Sequence, residues 1–152
     1  MKLIHKSYKF RITPDKEQIE LLSKYFGACR FVFNRYLNSR KETYLEEKKS
    51  LNYYDNANDL AKLKKEEEFV WLKEINSQSL QSSLRNLDAA YNKFFRKQTK
   101  FPRFKSKYDR QSFTIPQFVR IEDGKLCIPK FKKGIEINLH REIEGKILFA
   151  TI

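Results

Sequence analysis

The stretch YKFRITPDKEQIELL, residues 8–22, contains a switch between two kinds of local structure. Up to Ile12, apolar and polar side chains alternate, which is typical of a strand with one buried face. Thr13 and Pro14 interrupt this alternation, and they suit the N-cap and the first position of a helix. We therefore predict a strand over residues 3–12, followed by a helix that Thr13 caps.

Helical spacing follows this switch and continues over most of residues 14–98. The first predicted helix has apolar side chains at Ile19, Leu22, Phe26, Cys29, Phe33 and Tyr36. A second, short helix capped by Asp55 and a third that begins near Ser77 are expected. The third has its inward positions at Leu80, Leu84, Leu87, Tyr91 and Phe94. Within the first helix, Gly27 indicates either close packing against another helix or a kink.

Beyond Pro102 the period of the apolar residues changes to two, which is the spacing of strands. Short strands are predicted near residues 113–115, 118–121, 125–128, 135–139 and 146–152. Turns between them are expected at Asp123-Gly124, Lys133-Gly134 and Glu144-Gly145. Because the first strand finds partners only among these later strands, the sequence predicts an α+β fold. It is a small antiparallel β-barrel or sheet with a helical bundle inserted after the first strand.

The charge of the chain favours a nucleic-acid partner. Its 152 residues include 32 Lys and Arg against 19 Asp and Glu, a net charge of +13. Clustered cations neutralise phosphates and release counterions, so nucleic acid ranks above a merely soluble basic protein or a membrane surface. The excess is concentrated between residues 93 and 110, where only Asp109 is acidic. The cations there are Lys93, Arg96, Lys97, Lys100, Arg103, Lys105, Lys107 and Arg110.

Aromatic rings are interleaved with these cations in YNKFFRKQTKFPRFKSK, residues 91–107. Tyr91 and Phe94 lie on the apolar stripe of the third helix and are assigned to the core. Phe101 and Phe104 either join the core or anchor the extended segment that follows the helix. Anchoring would reduce the entropy that the cations lose on binding. We therefore interpret the segment as a rigid basic ridge that tracks a phosphate backbone.

The sequence offers no convincing active site, metal site or cofactor site. His5 and His140 lie in strand-like segments without Cys or carboxylates at ligand spacing. The 4 glycines do not form a phosphate-binding loop. Cys29 and Cys127 form no CxxC pair, and each is interpreted as a buried free thiol in a reducing cytoplasm. No apolar run is long enough to span a membrane.

Several stretches closely resemble, in the same order, the N-terminal half of the TnpB family. They are GACRFVFNRYL (27–37), LQSSLRNLDAAYNKFFRK (80–97), KFPRFKSK (100–107), SFT (112–114) and GKLCIPK (124–130). TnpB proteins, also called OrfB, are RNA-guided DNA nucleases encoded by insertion sequences and resemble the ancestors of type V CRISPR effectors. The resemblance extends over essentially the whole chain.

The resemblance implies that the chain has two parts with different functions. Residues 1–13 and 101–152 would form a wedge-like oligonucleotide-binding β-barrel, and residues 14–100 a helical recognition lobe. Together they would hold a structured guide RNA, the guide–target duplex and a short transposon-adjacent DNA motif. By position, the DNA-motif readers would be Tyr53, Ser77, Gln78, Gln81 and Thr114. Glutamine suits bidentate contact with adenine, although Gln78 and Gln81 are equally interpreted as ordinary exposed helix residues.

The family's RuvC-like carboxylates and zinc cysteines have no counterpart in this sequence. We therefore expect a binding module without nuclease activity of its own, whether a fragment or a remnant, that acts in transposition in a bacterial or archaeal cytoplasm, nucleoid-associated when bound. The strand at residues 146–152 would lack its next partner, and this edge would allow self-association. Two alternatives stay open: an RNA-independent helix-turn-helix DNA-binding regulator or transposase accessory protein, and a protein–protein scaffold.

Overall fold

The computed structural model describes residues 2–152, which form helices and two small antiparallel sheets. The helical elements are α1 (Lys16–Glu47), α2 (Tyr53–Leu63), a 3₁₀ helix (Glu67–Glu74) and α3 (Ser77–Phe95). The strands are β1 (Arg11–Thr13), β2 (Thr114–Ile115), β3 (Arg120–Glu122), β4 (Lys125–Cys127), β5 (Ile135–Asn138) and β6 (Ala150–Thr151). The predicted α+β class is confirmed, with the helices between the first strand and the others.

The first strand is much shorter than the alternation predicts. β1 pairs antiparallel with β5, with Ile12 opposite Ile137, but no regular strand precedes Arg11 in the described residues. Side chains continue the contact instead: the Phe10 ring meets the His140 ring edge-on at 5.1 Å, and the backbone N–H of Glu144 donates to the Tyr8 hydroxyl. The alternation therefore reports which side chains face inward rather than where backbones pair.

The strands form one sheet in the order β1-β5-β4-β3 and a separate pair, β2-β6. The turn predicted at Asp123-Gly124 is confirmed, because β3 and β4 are joined there and both residues have positive φ, 53° and 71°. The strand predicted at residues 146–152 is reduced to Ala150–Thr151. Within the described chain, the two sheets are not joined into one closed ladder.

Both predicted helix caps are placed on the wrong residue. Asp15, not Thr13, caps α1: its carboxylate accepts from the Gln18 N–H at 2.8 Å, and the Gln18 side chain accepts from the Asp15 N–H. Likewise, Asn52 caps α2, and Asp55 is the return partner three residues later. At α2 both residues of the capping box are polar, and only the backbone shows which one lies outside the helix. At α1 the cap lies two residues later than predicted, because Thr13 still belongs to β1 and pairs with Glu136.

The helices pack in one parallel and one antiparallel pair. Along α1, Cys29 contacts Ser83 of α3, and Arg40 contacts Asp88 further along, so α1 and α3 run in the same direction. Arg40 also donates to Asn56 of α2 at 2.7 Å. Nearer the start of α1, Tyr36 donates to Asp59 at 2.7 Å, so α2 returns antiparallel to α1.

One core joins the helices to the sheets. Of the predicted inward residues of α3, Leu80, Leu84, Leu87 and Tyr91 are buried, whereas Phe94 is only half-buried. Tyr25 of α1 makes the connection: its ring lies 4.7 Å from that of Phe113, and its hydroxyl donates to the Pro129 carbonyl and accepts from the Asn76 N–H. Of the two cysteines, Cys29 is buried as predicted, whereas Cys127 is only half-buried.

Candidate nucleic-acid interface

Residues 96–112 form a connector without helix or strand between α3 and β2, here called the basic connector. It returns antiparallel to α1. Near its middle, the Lys41 ammonium lies over the Phe104 ring at 5.1 Å. Towards its end, the Arg30 guanidinium donates to the Gln111 side chain at 3.2 Å. The connector is therefore held along about three turns of α1 rather than projecting into solvent.

Phe101 is the aromatic anchor of the connector. Its ring meets those of Tyr91 and Phe94 edge-on, at 5.4 Å and 5.2 Å, which is a favoured geometry for aromatic pairs. Phe104 is less enclosed: it is 49% exposed and lies beneath the Lys41 ammonium. Of the two rings that the sequence left ambiguous, Phe101 thus joins the edge of the core, and Phe104 remains at the surface.

Asn34 of α1 holds the connector by its backbone. Its side-chain N–H donates to the Lys105 carbonyl at 2.8 Å, and the Lys105 N–H donates to its side-chain oxygen at 2.7 Å. This paired contact resembles one rung of a β-ladder and fixes the direction of the chain at Lys105. Asn34 and Arg30 were missed from sequence, because their partners lie 71 and 81 residues away.

The eight cations of the predicted backbone-binding set are all exposed. Lys93 lies on α3, and the other seven lie along the connector, with Arg96 and Lys97 at its start. In the described part of the chain, no carboxylate lies within 4.0 Å of any of them. Asp109, the acidic neighbour, accepts the Ser106 N–H at 2.9 Å instead. The segment is therefore available to a polyanion.

The five predicted DNA-motif residues are distributed over two faces. Ser77, Gln78 and Gln81 lie in the first turns of α3, where Ser77 and Gln81 are exposed and Gln78 is half-buried. The side-chain oxygen of Gln78 has no hydrogen-bond partner among residues 2–152. Tyr53, at the start of α2, reaches the same part of α3, because the Arg85 guanidinium lies 4.3 Å above its ring.

Thr114 belongs to the other face. On β2 it lines a narrow cleft with Ser79, Ser83 and Asn86 of α3 and with the end of the basic connector. The buried thiol of Cys29 also lines this cleft, and burial raises its pKa to about 12. At neutral pH this thiol is therefore protonated and unreactive.

Two further observations limit the chemistry of this surface. Across residues 2–152, no three His, Cys, Asp or Glu side chains are grouped closely enough to hold a metal ion. Nor does any helix in that range combine the length and apolar character needed to cross a bilayer.

Comparisons with known proteins show what the chain is similar to. The OrfB helix-turn-helix domain model matches residues 1–49. "Putative RNA-guided DNA endonuclease InsQ" of Escherichia coli K12 is 39% identical over 148 residues, 96% of this chain and 37% of that protein. A "Putative RNA-guided DNA endonuclease" of Streptomyces pristinaespiralis is 32% identical over 151 residues, 94% and 36% of the two chains. "Virulence protein VsdF" of Salmonella dublin is 34% identical over 111 residues, 67% of this chain and 93% of that protein.

The chain thus spans little more than a third of the length of the two endonuclease relatives. Its matched helix-turn-helix stretch has an unexpected form. Between residues 2 and 49 the structure has β1 and the unbroken helix α1, and no turn separates two helices there. The next helix, α2, returns antiparallel to α1 and packs against it.

Proposed function

Because the chain belongs to the TnpB (OrfB) family and matches the N-terminal part of its longer members, we propose that it is the nucleic-acid-binding portion of an RNA-guided DNA endonuclease. It binds a structured guide RNA and the transposon-adjacent motif of duplex DNA. Residues 14–100 serve as the recognition lobe, and residues 1–13 and 101–152 as a wedge-like barrel. Cleavage is not a property of this chain by itself.

The exposed, unpaired charge of the basic connector carries this proposal. Its cations lie on a segment that Phe101 anchors to α3 and that Asn34 anchors to α1. A held segment loses less conformational entropy on binding than a free tail does. Phosphate contacts of this kind supply most of the affinity and little sequence preference.

We assign the recognition of DNA sequence to residues at the start of α3. Gln81 is exposed one turn before Arg85, and Asp88 follows three residues later on the same helical face. Glutamine pairs with adenine and arginine with guanine through two hydrogen bonds each. Asp88, the acidic residue of α3, is turned towards Arg40 and is bound by it at 3.0 Å. We assign Tyr53, Ser77, Gln78 and Gln81 to one motif-reading surface, and Thr114, on the other face, to a separate contact with the motif.

A gel-shift experiment tests the proposed function. The purified chain is titrated against structured RNA from the end of its element, against duplex DNA and against both together. The proposal predicts tight RNA binding and motif-dependent duplex binding that needs the RNA. Tight, motif-specific binding of duplex alone would instead support the RNA-independent regulator, and binding of neither would contradict both.

A further inference from the structure

Gly27 lies in the middle of α1, where the structure gives no internal reason for a glycine. A side-chain methyl built there would meet only the Arg30 guanidinium, at 3.9 Å, an ordinary van der Waals contact. The sequence prediction of close packing against another helix is therefore wrong, and α1 is unbroken through this position. Because glycine destabilises a helix interior relative to alanine, the stability of α1 does not explain its presence here.

The surroundings of Gly27 form an open groove on the exposed face of α1, here called the Gly27 groove. On one side lies the basic connector, held by Arg30 and Asn34. On the other side lies the ring of Phe31. The Trp71 ring packs against Phe31, with the two centroids 5.5 Å apart. Gly27, Arg30, Phe31 and Asn34 share this groove with Arg35 and Asn38. The glycine therefore widens a passage between cations and rings.

The cations and rings of the groove match a nucleic-acid strand. Arg35 is exposed and stacks on the Phe69 ring at 4.8 Å, which holds its guanidinium in place. Trp71 is 41% exposed, and its ring lies against that of Phe31, which lines the groove. Cations that hold phosphates and rings that stack on bases are the two elements of single-strand binding sites.

The acidic residues of the groove limit the path of such a strand. Glu42 and Glu46 line its far end, beginning about 22 Å along α1 from Gly27. Asp59, on α2, is already bound by the Tyr36 hydroxyl. A polyanion is therefore repelled from the far end and favoured across the helix near Gly27.

We propose that the sugar–phosphate backbone of a single polynucleotide strand crosses α1 at Gly27, with Arg30 and Arg35 beside its phosphates and a base stacked on Trp71. This site rests on the proposed function and adds a second contact surface to it. The missing side chain lets the strand approach the helix backbone, which a larger residue would prevent. RNA and single-stranded DNA share this chemistry, and the experiment distinguishes them.

Trp71 is the single tryptophan of the chain, so its fluorescence reports on this site alone. RNA and DNA oligonucleotides of the same sequence are titrated into the unaltered chain. We expect the bound strand to quench the fluorescence by at least about half. Whichever oligonucleotide, RNA or DNA, quenches the Trp71 fluorescence at the lower concentration is the one that binds in the groove. Binding without quenching by either strand would overturn the proposal.

Substitutions at Gly27 provide the independent test. Gly27→Ala is expected to raise the Tm, because it removes a helix glycine, yet to weaken strand binding several-fold. Gly27→Leu is expected to weaken binding at least about tenfold and to abolish most of the quenching. The control is Ala61→Leu, which adds similar bulk to an exposed site on α2.

The outcomes separate this site from the proposed function. One outcome is that the unaltered chain binds RNA while a folded Gly27→Ala variant binds it equally well and with equal quenching of Trp71 fluorescence. In that case the proposed site at Gly27 is wrong and the proposed function stands. If the unaltered chain binds no polynucleotide, both are wrong. If Gly27→Leu does not fold, Gly27→Ala and the quenching of the unaltered chain still decide.

Discussion

The side chain of Asn34 and the backbone of Lys105 are joined by two hydrogen bonds, of 2.8 Å and 2.7 Å, across 71 residues of sequence. This contact holds the basic connector against α1 at its midpoint. It carries no charge of its own, so it allows the position of the connector to be tested separately from its cations.

Asn34→Ala is expected to weaken RNA binding by about 3- to 10-fold, because a looser connector loses more entropy on binding. Loss of the two hydrogen bonds should also lower the free energy of unfolding by about 1–2 kcal/mol. Titration of a labelled RNA at fixed salt measures the first effect. Asn58→Ala, at an exposed site of α2, is the control for the change in helix propensity. Unchanged affinity in Asn34→Ala would show that the anchor is not needed.

The two rings of the connector should differ in their effect on stability. Phe101→Ala removes contacts with Tyr91 and Phe94 and should cost about 1–3 kcal/mol, less than a fully buried ring because Phe101 is 38% exposed. Phe104→Ala should cost less than about 1 kcal/mol. Urea denaturation of the two variants gives both values. Equal costs would contradict the assignment of Phe101 as the anchor.

Arg40 is expected to be the most sensitive charged residue of the helical bundle. It is 5% exposed and donates to Asn56 and to Asp88, while its guanidinium lies 5.0 Å from the Tyr91 ring. Arg40→Ala leaves these groups without their partner and should cost about 2–4 kcal/mol. Lys24→Ala breaks only an exposed pair with Glu74 and should cost less than about 1 kcal/mol. Thermal unfolding of both variants checks the contrast.

Stability should fall at alkaline pH. Burial raises the pKa of the Cys29 thiol to about 12, and it also raises the pKa of the Tyr25, Tyr36 and Tyr91 hydroxyls. Above about pH 9 the unfolded chain releases these protons while the folded chain retains them, so the unfolded state is favoured as the pH rises. The urea midpoint should therefore be lower at pH 10.5 than at pH 7. A constant midpoint would contradict the burial of these groups.

The helices could be predicted from sequence because their apolar spacing extends over several turns, as Leu80, Leu84 and Leu87 illustrate. The extent of the first strand could not, because the alternation before Arg11 serves side-chain contacts, such as that of Phe10 with His140, rather than backbone pairing. The cap of α2 is misplaced in the prediction because both residues of its capping box are polar. The cap of α1 is misplaced because Thr13 still belongs to β1.

Only part of the candidate site could be predicted from sequence, because some of its contacts form only on folding. Its cations are clustered in sequence, so charge counting locates them. Asn34 and Arg85 have no local signature, since each acquires its role only when Lys105 or Tyr53 is brought to it by folding. The same holds for Gly27, whose open surroundings become visible only in three dimensions.

The salt dependence of polynucleotide binding tests the central claim most directly. If the eight cations of the predicted set each neutralise a phosphate, log Kd should rise with log salt with a slope of about 7 for a duplex and about 6 for a single strand. Replacing Lys100, Arg103, Lys105 and Lys107 by Ala should lower that slope by about 3, whereas the matched change of Lys62, Lys65, Lys132 and Lys133 should leave it nearly unchanged. Equal slopes in the two quadruple variants, or salt-independent binding by the unaltered chain, would contradict the account.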